Sequence, residues 1–161
     1  MQLTTHYVKT ATMLAILTVA SGCATMQADE NYLVHVDEQR IILEGHDVVA
    51  FFTEGRAIQG SARHKSRYHG AEYHFASAAN KKSFEANPER YKPQFGGHCS
   101  MAMSMGKLEP AVVSTWSIVD GRLVVQRNAK AKAMWSMNPE GNLRKADGNW
   151  PKVVSEHGKR G

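Results

Sequence analysis

The stretch Trp116-Ser117-Ile118-Val119-Asp120-Gly121-Arg122-Leu123-Val124-Val125 sets the reading of the fold. Two β-prone runs flank Asp120-Gly121, a dipeptide that tolerates the positive φ needed at both central positions of a type I′ turn, so a tight antiparallel hairpin is predicted. Immediately after it, residues 129–137 favour helix. Asn138-Pro139 ends or re-aims that helix, because proline drives the residue before it out of the αR region. A second short helix is predicted to lead to Asp147-Gly148, with Trp150-Pro151 closing the packed region and a polar, frayed tail from Ser155 to Gly161. On the N-terminal side, Ser77 is placed to cap a helix running through Phe84 to about Asn87, where Pro88 stops it. Tyr73-His74-Phe75 follows the turn residues Gly70-Ala71 and reads as a strand with both aromatic rings on one face. Val48-Val49-Ala50-Phe51-Phe52 fits either a buried strand or one helical turn capped by Asp47, and Ile41-Ile42-Leu43 opens the apolar core. There is no internal repeat and no linker long enough to divide domains. The expected class is α+β: a small single domain of short antiparallel strands with several short helices.

The chain has 161 residues, of which 42% are hydrophobic and 22% charged. That length buries a core without metal or disulfide staples, so any metal must be argued from function rather than from folding need. The net charge of +5 comes from basic residues spread along the chain without a dense run. Nucleic acid is therefore set aside as a partner.

The first 23 residues read as an export address. Lys9 precedes an apolar run over residues 11–20, too short to span a bilayer and followed by small residues. Val19-Ala20-Ser21-Gly22-Cys23 resembles a bacterial lipoprotein box, with Ala20 where Leu is commoner. The resemblance implies a lipid on Cys23 as the first mature residue, and Ala24 after it implies outer-membrane sorting in a host with two membranes. Plain cleavage near Ala24 or Ala28 is the alternative. The expected location is exported and periplasm-facing, with a lipid anchor contacting the membrane. The mature chain would then hold 139 residues, with Cys99 its sole free thiol. A lone thiol in an oxidising compartment is either buried as a small hydrophobe or kept for chemistry.

Further motifs extend the pattern: Gly45-His46-Asp47-Val48-Val49-Ala50-Phe51-Phe52, Tyr73-His74-Phe75-Ala76-Ser77, Phe84-Glu85-Ala86-Asn87-Pro88-Glu89-Arg90-Tyr91, Pro93-Gln94-Phe95-Gly96-Gly97-His98-Cys99, Val119-Asp120-Gly121-Arg122-Leu123 and Ala146-Asp147-Gly148-Asn149-Trp150-Pro151. In order and spacing this series resembles the exported YHS-domain proteins of bacteria, over nearly all of residues 41–151. The division is then a signal segment at 1–23, a polar lead-in at 24–40, a YHS-like domain at 41–151 and a basic tail at 152–161. The resemblance implies kinship with small metal-handling modules. Those relatives carry cysteines directly after the aromatic strand and again four positions later, where this chain has Ala76 and Asn80. Neither replaces a thiolate, and no CxxC pair exists, so a closed zinc knuckle is rejected. Phe75, Phe84 and Tyr91 are expected as core.

What remains is Gly96-Gly97-His98-Cys99-Ser100-Met101-Ala102-Met103-Ser104-Met105-Gly106, in which three of the chain's eight methionines occupy five positions. Thioether and thiolate are soft donors suited to monovalent copper, and imidazole accepts copper in either oxidation state. Cys99 is the expected central donor, with His98, Met101, Met105 and Met103 as companions. A helix would group His98, Met101 and Met105 on one face and Cys99 with Met103 on another. A strand would instead align Cys99, Met101, Met103 and Met105. Equally, Met103 and Cys99 could be the inward stripe of a core helix. His46 is a further candidate ligand, with Asp47 able to orient its imidazole. His64, His69 and His74 lie among Arg63, Lys65 and Arg67, a setting that disfavours a bound cation.

No serine nucleophile elbow or phosphate-cradling loop is present, and His98 points away from Cys99 on either backbone, so an enzyme is the lesser expectation. The expected function is binding of a soft metal ion, copper above all, for buffering, delivery or sensing. The alternative is a thiol-redox or small-ligand-binding envelope protein that uses Cys99 as a reactive thiol, with the methionines as core.

Overall fold

Two antiparallel hairpins frame the molecule, and the second is the one its turn dipeptide announced. In the computed structural model, which describes residues 32–158, β3 (Val112–Val119) and β4 (Arg122–Gln126) pair with Val119 opposite Arg122. Asp120 and Gly121 take φ of 50° and 68°, as a type I′ turn requires. The first hairpin joins β1 (Ser61–Tyr68) to β2 (Ala71–Phe75). The export signal, Cys23 and the lead-in up to residue 31 lie outside the described residues, as do residues 159–161.

Six α-helices are found among the described residues: α1 (Ala50–Thr53), α2 (Ala78–Ala86), α3 (Pro88–Tyr91), α4 (Ser100–Met103), α5 (Ala129–Ser136) and α6 (Pro139–His157). Five begin on a side chain that takes up an otherwise orphaned N–H. Ser77, Asn87, Cys99, Asn128 and Asn138 accept from Asn80, Arg90, Ala102, Ala131 and Gly141. With its two small antiparallel sheets, this is the expected α+β domain.

Strand β4 is the wall between two halves of the core. Alternation sends Leu123 and Val125 into a cluster with Ile42, Phe51, Tyr73, Phe75 and Phe84. Val124 faces the other way, toward Phe95, Met103, Trp135, Leu143, Ala146 and Val153.

Of the two readings left open for residues 48–52, the helical turn is the one formed, as α1 over Ala50–Thr53, with the Asp47 carboxylate taking the N–H groups of Val49 and Ala50 at 2.9 and 3.3 Å. The structure departs from the expectations at two places, each decided by packing. The second C-terminal helix is not short: α6 runs through Asp147-Gly148 and Pro151 to His157. Its Leu143, Ala146, Trp150 and Val153 recur at helical spacing and pack on the second cluster, which offsets the bond lost at proline. Nor is the lead-in detached from residue 32 onward, since Val34 and Val36 pack on the first cluster and Leu33 on the second. Gly96 makes that docking possible: a Cβ there would overlap the Leu33 carbonyl, and its own carbonyl accepts the His35 N–H at 2.8 Å.

Candidate metal centre

The positions where metal-handling relatives carry cysteines are occupied by a structural knot. Asp47 is fully buried, and besides Val49 and Ala50 it accepts the Ala76 N–H at 2.8 Å and the Asn80 side-chain amide at 2.7 Å. One carboxylate thereby joins α1, the end of β2 and α2. Ala76 and Asn80 supply hydrogen-bond donors here, so this corner does not fit a metal. Asp47 is also spent on these partners and does not orient His46, whose Nδ1 instead donates to the Leu43 carbonyl at 3.0 Å.

Four sulfur-bearing residues, Cys99, Met101, Met105 and Met134, line a cleft at a different corner. Cys99 heads α4, follows a turn over Gln94–Gly97 and bridges to Val125 of β4. Its Sγ accepts the Ala102 N–H at 3.5 Å and donates to Gln126 Oε1 at 3.6 Å. The same oxygen accepts the Met101 N–H at 2.8 Å. That bond fixes which way the amide faces, so the thiol meets an acceptor rather than a donor. The Gln126 backbone is pinned in turn by the Thr115 hydroxyl, 2.7 Å from both its N and its O.

Above Cys99 opens a cleft of about 380 Å³ lined by Cys99, Met101, Met105 and Met134, with Ala102 and Ala131 between them. Cys99 has no surface of its own open to water and forms part of the floor. Met105 and Met134 stand on the rim, 52% and 42% exposed. A thioether half in water is not filling a core, and for these two the packing explanation fails. The Met101 sulfur lies 3.9 Å from the Ser104 hydroxyl. Two polar atoms next to the floor, Ser100 Oγ and Gln126 Nε2, are buried without a hydrogen-bond partner among the described residues. The rim carries Lys107, Arg127 and Lys130 against Glu109, which is 3.5 Å from Arg127.

Neither geometry drawn from the sequence describes this arrangement. Helix α4 is a single turn with Cys99 as its cap, so Met101 and Met105 reach the cleft while Met103 turns into the core beside Trp135 and Val124. Met103 is fully buried, and the cleft does not include it. His98 also lies outside the cleft. Its Nδ1 donates to the Phe95 carbonyl at 3.0 Å and its ring lies 5.4 Å from that of His35. Burial, with the nearby His35 adding to it and the Phe95 carbonyl opposing, brings the His98 pKa down to about 4. His46 is not part of the cleft and is bridged to Gln59. Among the charged flanks of β1 and β2, His74 is paired with Glu72 at 3.0 Å, and His74 together with Lys65 holds that carboxyl below its ordinary range.

Met134 is the donor that sequence reasoning missed. It stands 29 positions after Met105, and only the docking of α5 against α4 brings it to the cleft. The available signal was its spacing of three from Ala131, which puts both on one helix face. No three His, Cys, Asp or Glu side chains come together as a metal site among the described residues. Any metal in this cleft would therefore rest on the Cys99 thiol and thioethers.

No curated protein and no solved structure matches the chain. The family model of the YHS domain matches residues 49–95, from the start of α1 to the turn before Cys99. The sulfur cleft falls entirely beyond the matched stretch. The chain is thus a YHS-domain-containing protein, with the domain of a family associated with metal handling over residues 49–95 and a separate thiol–thioether cleft after it.

Proposed function

We propose that this protein binds monovalent copper as cargo in the Cys99 cleft, for buffering, delivery or sensing. The observation that supports this most is that one thiol and three thioethers line a single cleft, with two of the methionines about half exposed. Soft sulfur donors, with no imidazole and with the one carboxylate, Glu109, paired to Arg127, favour monovalent copper over zinc or hard cations. Cys99, Met101 and Met105 are the proposed donors, and Met134 closes the set from α5. The domain would act as an exported protein held at a membrane by lipid on Cys23.

A reactive-thiol function is disfavoured by the burial of Cys99 and by the hydrogen it donates to Gln126. Binding copper through sulfur at this position requires that proton to leave. Affinity should then rise with pH, by up to about tenfold per unit while the thiol remains protonated. Anaerobic titration with monovalent copper against a competing chelator tests the reading. The expected result is one ion per chain, strong loss in Cys99→Ser together with loss of the pH dependence, and weaker binding in Met101→Ala and Met134→Leu. Unchanged affinity in all three variants would remove the proposal.

A further inference from the structure

A cleft of about 530 Å³ lies between residues 32–34, the end of α3 and α6, and shares no residue with the sulfur cleft. Its size falls within the range of about 300–1,000 Å³ usual for small-molecule sites. The YHS match ends at Phe95, so Arg122 of β4 and the α6 residues reach this cleft from outside the matched stretch. The charges that line it are already spent on one another. Arg122 donates to both carboxylate oxygens of Asp147, at 2.8 and 2.7 Å, and to Gln94 Oε1 at 2.6 Å. Lys92 lies 2.8 Å from Glu89, which also accepts the Tyr68 hydroxyl at 2.6 Å. Arginine and lysine thus cancel the two carboxylates, and an ionic ligand would have to break a pair to make its own. A neutral hydroxyl avoids that cost, because it both donates and accepts and can use the lone pairs and N–H groups that these pairs leave over.

One polar group lining the cleft has no such pairing. Tyr73 is 3% exposed, and its ring is held in the first core cluster, 4.5 Å from that of Phe84. Its hydroxyl has no hydrogen-bond partner among the described residues. Burial, with Tyr68 and Glu89 adding to it, raises the phenol pKa, so the group stays a neutral O–H donor. A buried hydroxyl without a partner carries a desolvation cost that a ligand oxygen would recover. Beside it the walls are aromatic. Tyr32 and Trp150 are both half-buried, and the His69 ring stacks on Tyr68 at 3.9 Å and on Tyr32 at 6.1 Å. Apolar rings next to neutralised hydrogen-bonding groups match a sugar ring, which carries C–H patches between its hydroxyls.

We propose that this cleft binds a neutral saccharide, with Tyr73, Arg122 and Asp147 as polar contacts and Trp150 as an apolar wall. The test uses the full chain with isotope-labelled tryptophan, followed by NMR while maltose, cellobiose or diacetylchitobiose is added singly. Trp150 borders the cleft, whereas Trp116 and Trp135 pack in the two core clusters. The expected result is that at least one sugar moves the Trp150 indole resonance saturably while Trp116 and Trp135 stay in place. Because the ligand is uncharged, the affinity should be the same at about 0.05 and 0.5 M salt. Tyr73→Phe, which removes one oxygen and keeps the ring, should weaken binding by about three- to tenfold. Circular dichroism and the sugar-free spectrum confirm that the variant is folded. No saturable shift of Trp150 with any of the sugars, equal shifts in all the tryptophans, an affinity that falls steeply with salt, or full affinity in folded Tyr73→Phe would overturn the proposal. None of these outcomes bears on copper in the sulfur cleft.

Discussion

Leu43-Glu44-Gly45-His46-Asp47 and Phe95-Gly96-Gly97-His98-Cys99 build the same local device in two halves of the molecule. Each has three successive left-handed residues, and each histidine donates N–H and Nδ1–H to the carbonyl three residues back. A fully buried side chain follows, at the head of a four-residue helix, accepting that helix's N–H groups. The two differ at that last position. The Asp47 carboxylate takes four donors at 2.7 to 3.3 Å, all from elements that must be held together. The Cys99 thiol makes two long contacts through sulfur, has unpartnered polar atoms beside it, and lies under an open cleft. One backbone arrangement thus serves as a strut where its hydrogen bonds are satisfied, and leaves chemistry available where they are not.

The largest way to break this comparison is at the strut. Asp47→Ala leaves four donors, two buried and two partly buried, without their acceptor, and urea unfolding should show a loss of about 3–4 kcal/mol. A loss no greater than that of Cys99→Ala would contradict the assignment of roles. The histidine of the second device sharpens it next. His98 titrates at about 4 when folded, against an ordinary value near 6.5, so between those values the unfolded chain binds more protons. Stability should be constant above about pH 6.5 and fall by roughly 3 kcal/mol as pH drops toward 4. Folded His98→Gln should flatten the part of the curve that His98 causes, a difference measured by thermal unfolding across that range. At the other capping position, Cys99→Ala should cost only about 1–2 kcal/mol, since the contacts removed are weak and the thiol is small. The rim should matter least: Met105→Leu and Met134→Leu should change stability by under about 0.5 kcal/mol, because both side chains are about half in water. A larger loss would return them to the core.

What could be read from the chain beforehand was local. Asp120-Gly121, Ser77 and Asn138-Pro139 each act through their own backbone, and the turn, cap and helix boundary fall where those residues put them. The length of α6 was hidden because Pro151 is a local signal overridden by the distant core that Trp150 and Val153 meet. The docking of residues 32–36 depended on Gly96, some sixty positions away. For the site, Cys99, Met101 and Met105 were close enough in sequence to be seen as a group. Met103 belonged to that group by spacing but turns inward on the opposite side of a one-turn helix. His98 was grouped with sulfur by adjacency, yet its ring is committed by the Phe95 carbonyl to face His35. Neither that commitment nor the arrival of Met134 is written in residues near the cluster.

X-ray absorption at the copper edge of the anaerobically loaded protein tests the central claim most directly. The account predicts a monovalent ion whose nearest shell is sulfur, losing its shortest sulfur scatterer in Cys99→Ser and keeping thioether sulfur. A shell of nitrogen or oxygen, unchanged when Cys99 and the methionines are replaced, would contradict it.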